Sequence, residues 1–232
     1  APDRSKLSKR HGAVGVLQYR RQGYLAEAVV NFLALLGWSP QAKGLNRELF
    51  TLQELIGLFD LKEVQKGGAV FNLEKLNWFN HQYLTTLPFA ALWGAIEKFL
   101  PPKKRSDQEI WQRLWPEIAQ RISTLAEFSQ LARAGEWDYF FKAPRPTREL
   151  LKTTEHLPEV IRLLAALPPE QFVADNIKTA VWDFATKIGR EKVLWPLRVA
   201  LTGREKSPDP FTVAAILGQE ETLTRLRYVE HF

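Results

Sequence analysis

Lys6 and Lys9 stand three residues apart in the run Lys6-Leu7-Ser8-Lys9-Arg10, with His11-Gly12-Ala13 directly behind. Two ammonium groups at that spacing on a loop can settle on one triphosphate and stabilise charge that grows there during attack at the α-phosphorus. By itself such a pentad is more often a solvated basic loop than a catalytic one. Other catalytic signatures are missing. His11, His81, His156 and His231 lack metal-ligand spacing, and no His-Glu-x-x-His run occurs. Gly12-Ala13-Val14-Gly15 is no dinucleotide fingerprint, because no strand leads in and no third glycine follows. There is no Walker-type loop. The absence of cysteine excludes disulfides, thiolate metal sites and a cysteine nucleophile. A complete enzyme within this sequence is not expected.

The remaining chemistry lies in charge placement. The net charge of +6 is concentrated in clusters. Arg4, Lys6, Lys9, Arg10, Arg20 and Arg21 face only Asp3 in residues 1–24. Lys187, Arg190, Lys192, Arg198, Arg204 and Lys206 face Glu191 and Glu205 in residues 187–206. Lys103-Lys104-Arg105 forms a third cluster. Basic clusters separated by acidic stretches suit a long polyanion touched at several points, and they equally suit a surface that is merely solvated.

The elements that must position these residues are helices. Leu25, Ala28, Val29, Phe32, Leu35 and Leu36 share one helical face that stops at Gly37. Phe89, Leu92, Trp93, Ile96 and Leu100 form a second stripe, closed by Pro101-Pro102. Ile177, Ala180, Val181, Phe184 and Ile188 form a third, closed by Gly189. Thr51–Glu54, Ser106–Glu109 and Thr124–Glu127 have the spacing of capping boxes. Short helices are expected over 191–201, 210–217 and 219–229, with Pro196 starting, kinking or breaking the first. Strand-like alternation is confined to Ala13–Leu17. The fold class is therefore all-α. Breaks fall at Leu87-Pro88, at Pro101–Arg105 and at Ala143–Pro146, the last being the better domain boundary. No run of 18 apolar residues is present, so no membrane partner is expected.

Four stretches give the pentad a context. Lys6–Arg10 resembles the second signature of class I aminoacyl-tRNA synthetases, in the form common among glutamyl-tRNA synthetases. The segment from Gly23-Tyr24-Leu25 through Asn31 to Gly37-Trp38-Ser39-Pro40 is similar to the helix that follows that loop. Phe71-Asn72-Leu73-Glu74-Lys75-Leu76-Asn77-Trp78-Phe79-Asn80 resembles the stem-contact element, with Phe79 where Met is commoner. Trp195–Gly203, continuing to Pro208 and Ile216-Leu217-Gly218, resembles the distal anticodon-binding domain. They occur in family order and cover nearly the whole sequence.

The resemblance implies a helical stem-contact domain over 1–87, a first helical anticodon-binding domain over 88–142 and a second over 143–232. It implies that Lys6 and Lys9 are the transition-state lysines of a parent enzyme that joins glutamate to tRNA(Glu) with ATP and Mg2+. The nucleotide-binding domain would precede Ala1, so this stretch alone is expected to be inactive and to hold neither cofactor. It further implies that Lys75 and Trp78 touch the D-stem region, that Arg198 lies beside the anticodon loop, and that Ser207 and Pro208 line it. The segment Arg121–Phe128 resembles one whose leading arginine reads the third anticodon base. The basic cluster assigns Arg20 and Arg21 to phosphate contacts. The expected partner is tRNA(Glu), not DNA, and the expected state is a cytoplasmic monomer. Plainer readings remain for single residues: half-burial on a helix face for Trp78, and an ion pair with a carboxylate for Arg198. A helical protein-interaction module without an RNA role, or a glutaminyl-type synthetase, are the rival readings of the whole.

Overall fold

The computed structural model describes residues 15–232. Among the described residues there are fourteen α-helices and no strand. The chain divides into two compact units, the first ending at Glu136 and the second running over Trp137–Phe232. That division falls ahead of the Ala143–Pro146 break.

The first unit holds α1 (Val16–Arg21), α2 (Ala26–Leu35), α3 (Leu52–Leu58), α4 (Leu73–Thr86), α5 (Phe89–Phe99), α6 (Gln108–Ala119) and α7 (Leu125–Arg133). Its centre is the pairing of α2 with α4. Ala28 and Phe32 on α2, and Leu76, Phe79 and Leu84 on α4, are all buried. Phe32 packs edge-on to Phe71 at 5.1 Å and to Phe79 at 6.2 Å between ring centroids. Each large apolar side chain buried in this way contributes about 1.5–3 kcal/mol. Buried polar groups in the same core are fully paired. The Asn31 carboxamide donates to the Glu48 carbonyl at 2.9 Å and accepts from the Phe50 amide at 2.8 Å and the Tyr83 hydroxyl at 2.7 Å. Thr51 and Glu54 form a complete capping box at the start of α3.

The second unit holds α8 (Asp138–Phe141), α9 (Arg148–Leu151), α10 (Leu157–Ala165), α11 (Ala174–Ile188), α12 (Arg190–Thr202), α13 (Pro210–Leu217) and α14 (Gln219–Val229). Ile177, Val181, Val193, Leu197, Val199, Val213 and Leu226 are completely buried where α11 to α14 meet. Arg225 of α14 is buried too, at 4% exposure. It is held by the Glu221 carboxylate at 2.8 Å and by the carbonyls of Tyr139 and Leu201 at 2.7 and 2.6 Å. A buried guanidinium persists only with partners of that kind.

Three local expectations are corrected. Val16 and Leu17 open α1 rather than extend a strand, and no described strand exists to pair with them. Ser106 does not cap α6; that position falls to Asp107, and Ser106 turns its hydroxyl to the Asp107 carboxylate at 3.4 Å. Pro196 neither starts nor breaks α12, which runs unbroken from Arg190 to Thr202. Proline costs a helix about 3 kcal/mol. Pro196 is itself buried, between the fully buried Val193 and Leu197, and that packing offsets the lost hydrogen bond.

Candidate nucleic-acid interface

In the first unit, Asn72 caps α4 by accepting from the Lys75 amide at 3.2 Å, and Lys75 and Trp78, three residues apart in its first two turns, are both partly exposed. The Lys75 ammonium pairs with Glu48 and lies 4.3 Å over the Trp78 ring. Trp78 is 39% exposed and packs edge-on to the buried Phe79 at 4.9 Å. The result is a flat aromatic platform with a cation over it, open to solvent. Such a platform can stack a base and meet a phosphate. The Lys75–Glu48 pair is exposed on both sides and contributes no more than about 1 kcal/mol, so a phosphate can replace the carboxylate.

Arg121 sits just ahead of α7, in a turn pinned at successive positions. The Arg121 amide donates to the Ile118 carbonyl at 3.0 Å. The Ile122 carbonyl accepts from His81 Nδ1 at 2.9 Å, and the Ser123 carbonyl from the Asn80 carboxamide at 2.5 Å. Asn80 is wholly buried, and its own oxygen accepts from the Leu25 amide at 2.8 Å. Thr124 caps α7 by accepting from the Glu127 amide, while Glu127 reaches back to the Ser123 amide at 2.7 Å. The Leu125 and Ala126 amides donate to the carbonyls of Gly23 and Gln22, both at 3.2 Å. The loop between α1 and α2 therefore satisfies donors that an isolated helix N-terminus leaves open. Gly23 makes this possible: its φ is +82°, and a Cβ there would lie 2.7 Å from the Leu125 nitrogen. On this rigid turn the Arg121 side chain is 47% exposed, and one Nη contacts the Glu136 carboxylate at 3.1 Å.

In the second unit, α12 ends at Gly203, whose φ of +65° lets the chain turn back. Arg198 donates to the Ser207 carbonyl at 3.4 Å, and the Ser207 hydroxyl to the Pro208 carbonyl at 2.8 Å. Arg198, Ser207 and Pro208 are thus brought together, with a backbone carbonyl taking the place of the carboxylate partner considered for Arg198. Asp209 fixes the far end of the loop by accepting from the Phe211 and Thr212 amides. Arg20 and Arg21 lie exposed in the last turn of α1. Lys6 and Lys9 lie outside the described residues. Among the described residues no group of three or more His, Asp or Glu side chains could hold a metal ion, and no helix is long and apolar enough to cross a membrane.

The profile of a family described as anticodon binding domain matches residues 81–229, well over half of the chain. A glutamate–tRNA ligase of Thermodesulfovibrio yellowstonii is 39% identical over 98% of this chain, and one of Desulforudis audaxviator 35% identical over 97%. The chain belongs to the anticodon binding domain family. Residues 1–78 also match the catalytic domain of class I tRNA synthetases (E and Q). The crystal structure of a glutamate tRNA ligase from Elizabethkingia meningosepticum, in complex with its amino acid, is similar with a TM-score of 0.64 and 29% identity, over 98% of this chain and 49% of that one. The chain spans about half the length of the curated relatives it matches, at 50% and 47% of the two ligases above.

Within this anticodon-binding family member, the roles of three residues of the candidate interface escaped the sequence reading. Asn80 had a signal: it is a polar residue inside the buried α4 stripe of Leu76, Phe79, Tyr83 and Leu84. Such a residue must find partners within the protein. Glu48 and Glu136 had none, because their partners stand 27 and 15 residues away.

Proposed function

We propose that this chain supplies the tRNA-recognition half of a glutamate–tRNA ligase. Residues 1–87 contact the stem, through the Lys75–Trp78 platform and phosphate contacts from Arg20 and Arg21. Residues 88–142 read the third anticodon base with Arg121. Residues 143–232 hold the rest of the anticodon loop with Arg198, Ser207 and Pro208. Phosphate contacts give affinity and splayed bases give specificity. The parent enzyme forms glutamyl-adenylate from glutamate and ATP with Mg2+, then passes glutamate to the tRNA 3′ end in the cytoplasm. Lys6 and Lys9 are the residues that would meet the triphosphate. Alone, the monomeric chain binds tRNA(Glu) without activating glutamate. Pyrophosphate exchange by the purified chain, with tRNA present, is expected to be undetectable; measurable exchange would contradict this part of the reading.

The observation that carries the proposal is the family match over residues 81–229, joined to a half-exposed arginine on a pinned turn inside that span. Glutamate and glutamine tRNAs differ at the last anticodon base, C in the first and G in the second. The pairing edge of C offers O2 and N3 as acceptors, and a guanidinium has only donors. The edge of G presents N1–H and N2–H2, which sets donor against donor. That mismatch costs about 1–3 kcal/mol, roughly tenfold to a hundredfold in binding. Arg121→Gln offers a donor and an acceptor, so it should accept either base. Binding of glutamate tRNA and of the same tRNA with only that base changed to G tests this. Equal binding of both by the original chain, or a preference that survives Arg121→Gln, rules Arg121 out as the reader.

A further inference from the structure

We infer that Glu136 is the residue that orients Arg121 for base reading, and so sets how sharply the chain separates C from G. The inference rests on Arg121 as the reader. A long arginine side chain on an exposed site samples many rotamers, and a base-reading contact needs its donor edge aimed one way. Main-chain bonds fix where Arg121 starts but not where its guanidinium ends. Among the described residues that guanidinium meets the Glu136 carboxylate, on a single Nη at 3.1 Å. A contact at one corner biases the guanidinium toward the rotamers that reach Glu136 and leaves its other N–H donors available, a preference of the size an exposed ion pair supports.

Glu136 is itself precisely placed. At the C-terminal end of α7, Gly135 takes a φ of +78°, its amide donates to the Ala132 carbonyl, and the Glu136 amide donates to the Leu131 carbonyl at 3.0 Å. This is a Schellman-type stop, in which the residue after the left-handed glycine is tied back to the last turn. Arg121 lies ahead of the Thr124 cap and Glu136 lies behind this stop. Their ion pair therefore closes across the whole of α7, whose start is anchored by Gln22, Gly23 and Asn80. Both ends of the bridge stand on fixed backbone, so the guanidinium is biased toward one direction before any RNA arrives.

The carboxylate has a second effect. Negative charge beside Arg121 repels phosphate, which keeps the arginine from acting as a general backbone contact. Removing the charge should therefore raise affinity for every tRNA slightly, whereas the preference for C should narrow only when the accepting oxygen is removed as well. A residue with only a structural role would lower affinity for both forms together, so the ratio of the two affinities is the telling readout.

The test measures binding of glutamate tRNA, and of its form with G as third anticodon base, to the original chain, Glu136→Leu, Glu136→Gln and Arg121→Gln at one salt concentration. Glu136→Leu should narrow the C-to-G ratio about two- to fivefold, the range an exposed ion pair supports. It should not weaken binding of the G form. Glu136→Gln keeps an accepting oxygen and should retain most of the ratio. If Glu136→Leu leaves the ratio intact while Arg121→Gln collapses it, the orienting role is wrong and the reader stands. A Glu136→Gln chain that narrows the ratio as far as Glu136→Leu also overturns it. If Arg121→Gln keeps the full ratio, the reader reading fails and this inference fails with it.

Discussion

Glu54 shows how one side chain can report on a fold. Its carboxyl is held at about 2, first by the hydrogen bond from Arg47, then by those from the Thr51 amide and hydroxyl. An unperturbed glutamate titrates near ~4.3, so the folded state binds this proton less readily than the unfolded state. The stabilisation is present above the unfolded value and is lost as pH falls toward the folded one. Glu54→Gln should therefore melt below the original chain at neutral pH, and the gap should close between about pH 4.5 and about pH 2. Thermal melts followed by circular dichroism across that range check it; a gap that stays constant with pH would contradict it. This capping box was legible from Thr51-Leu-Gln-Glu54 alone, because both partners lie within one helical turn. The partners of Arg121 and Lys75 were not, since side chains meeting across 15 or 27 residues leave no local pattern.

At the scale of elements, the apolar stripes announced α2, α5 and α11, and their glycine and proline stops fell close to the observed ends. What spacing could not give is how elements lock together. Gly23 looks like an ordinary loop glycine in sequence, yet its carbonyl seals α7 and its bare Cα sits against the Leu125 backbone. Gly23→Ala meets both a positive φ and a contact with main chain that cannot move aside. The strained backbone alone costs about 1–3 kcal/mol, and the contact adds to it. Urea unfolding should show at least that loss, and C-to-G discrimination should fall as the Arg121 turn loosens. Unchanged stability would mean that the loop and α7 are not sealed in this way. Pro196 taught the opposite lesson: local chemistry predicted a start, a kink or a break, and α12 runs through the proline without starting or ending there, with buried residues on both sides of it.

At the scale of the molecule, most of the account was readable early. Helical periodicity pointed to the all-α class, and four short stretches resembled tRNA synthetases, in keeping with the class I catalytic-domain match over 1–78 and the anticodon binding domain match over 81–229. The anticodon-side reading depended on resemblance, because charge clusters alone do not separate a solvated surface from an RNA-binding one. The chain is proposed to bind tRNA through several phosphates at once. Binding of glutamate tRNA to the purified chain, measured over a series of salt concentrations, tests it most directly. Each phosphate contact releases about 0.9 of a counterion, so Arg20, Arg21, Lys75 and Arg198 together should give a log–log slope of about −3 to −4. Changing Arg20 and Arg21 to alanine should flatten that slope by about two contacts without altering the C-to-G preference. Absence of binding at low salt, or affinity that does not change with salt, would contradict the account.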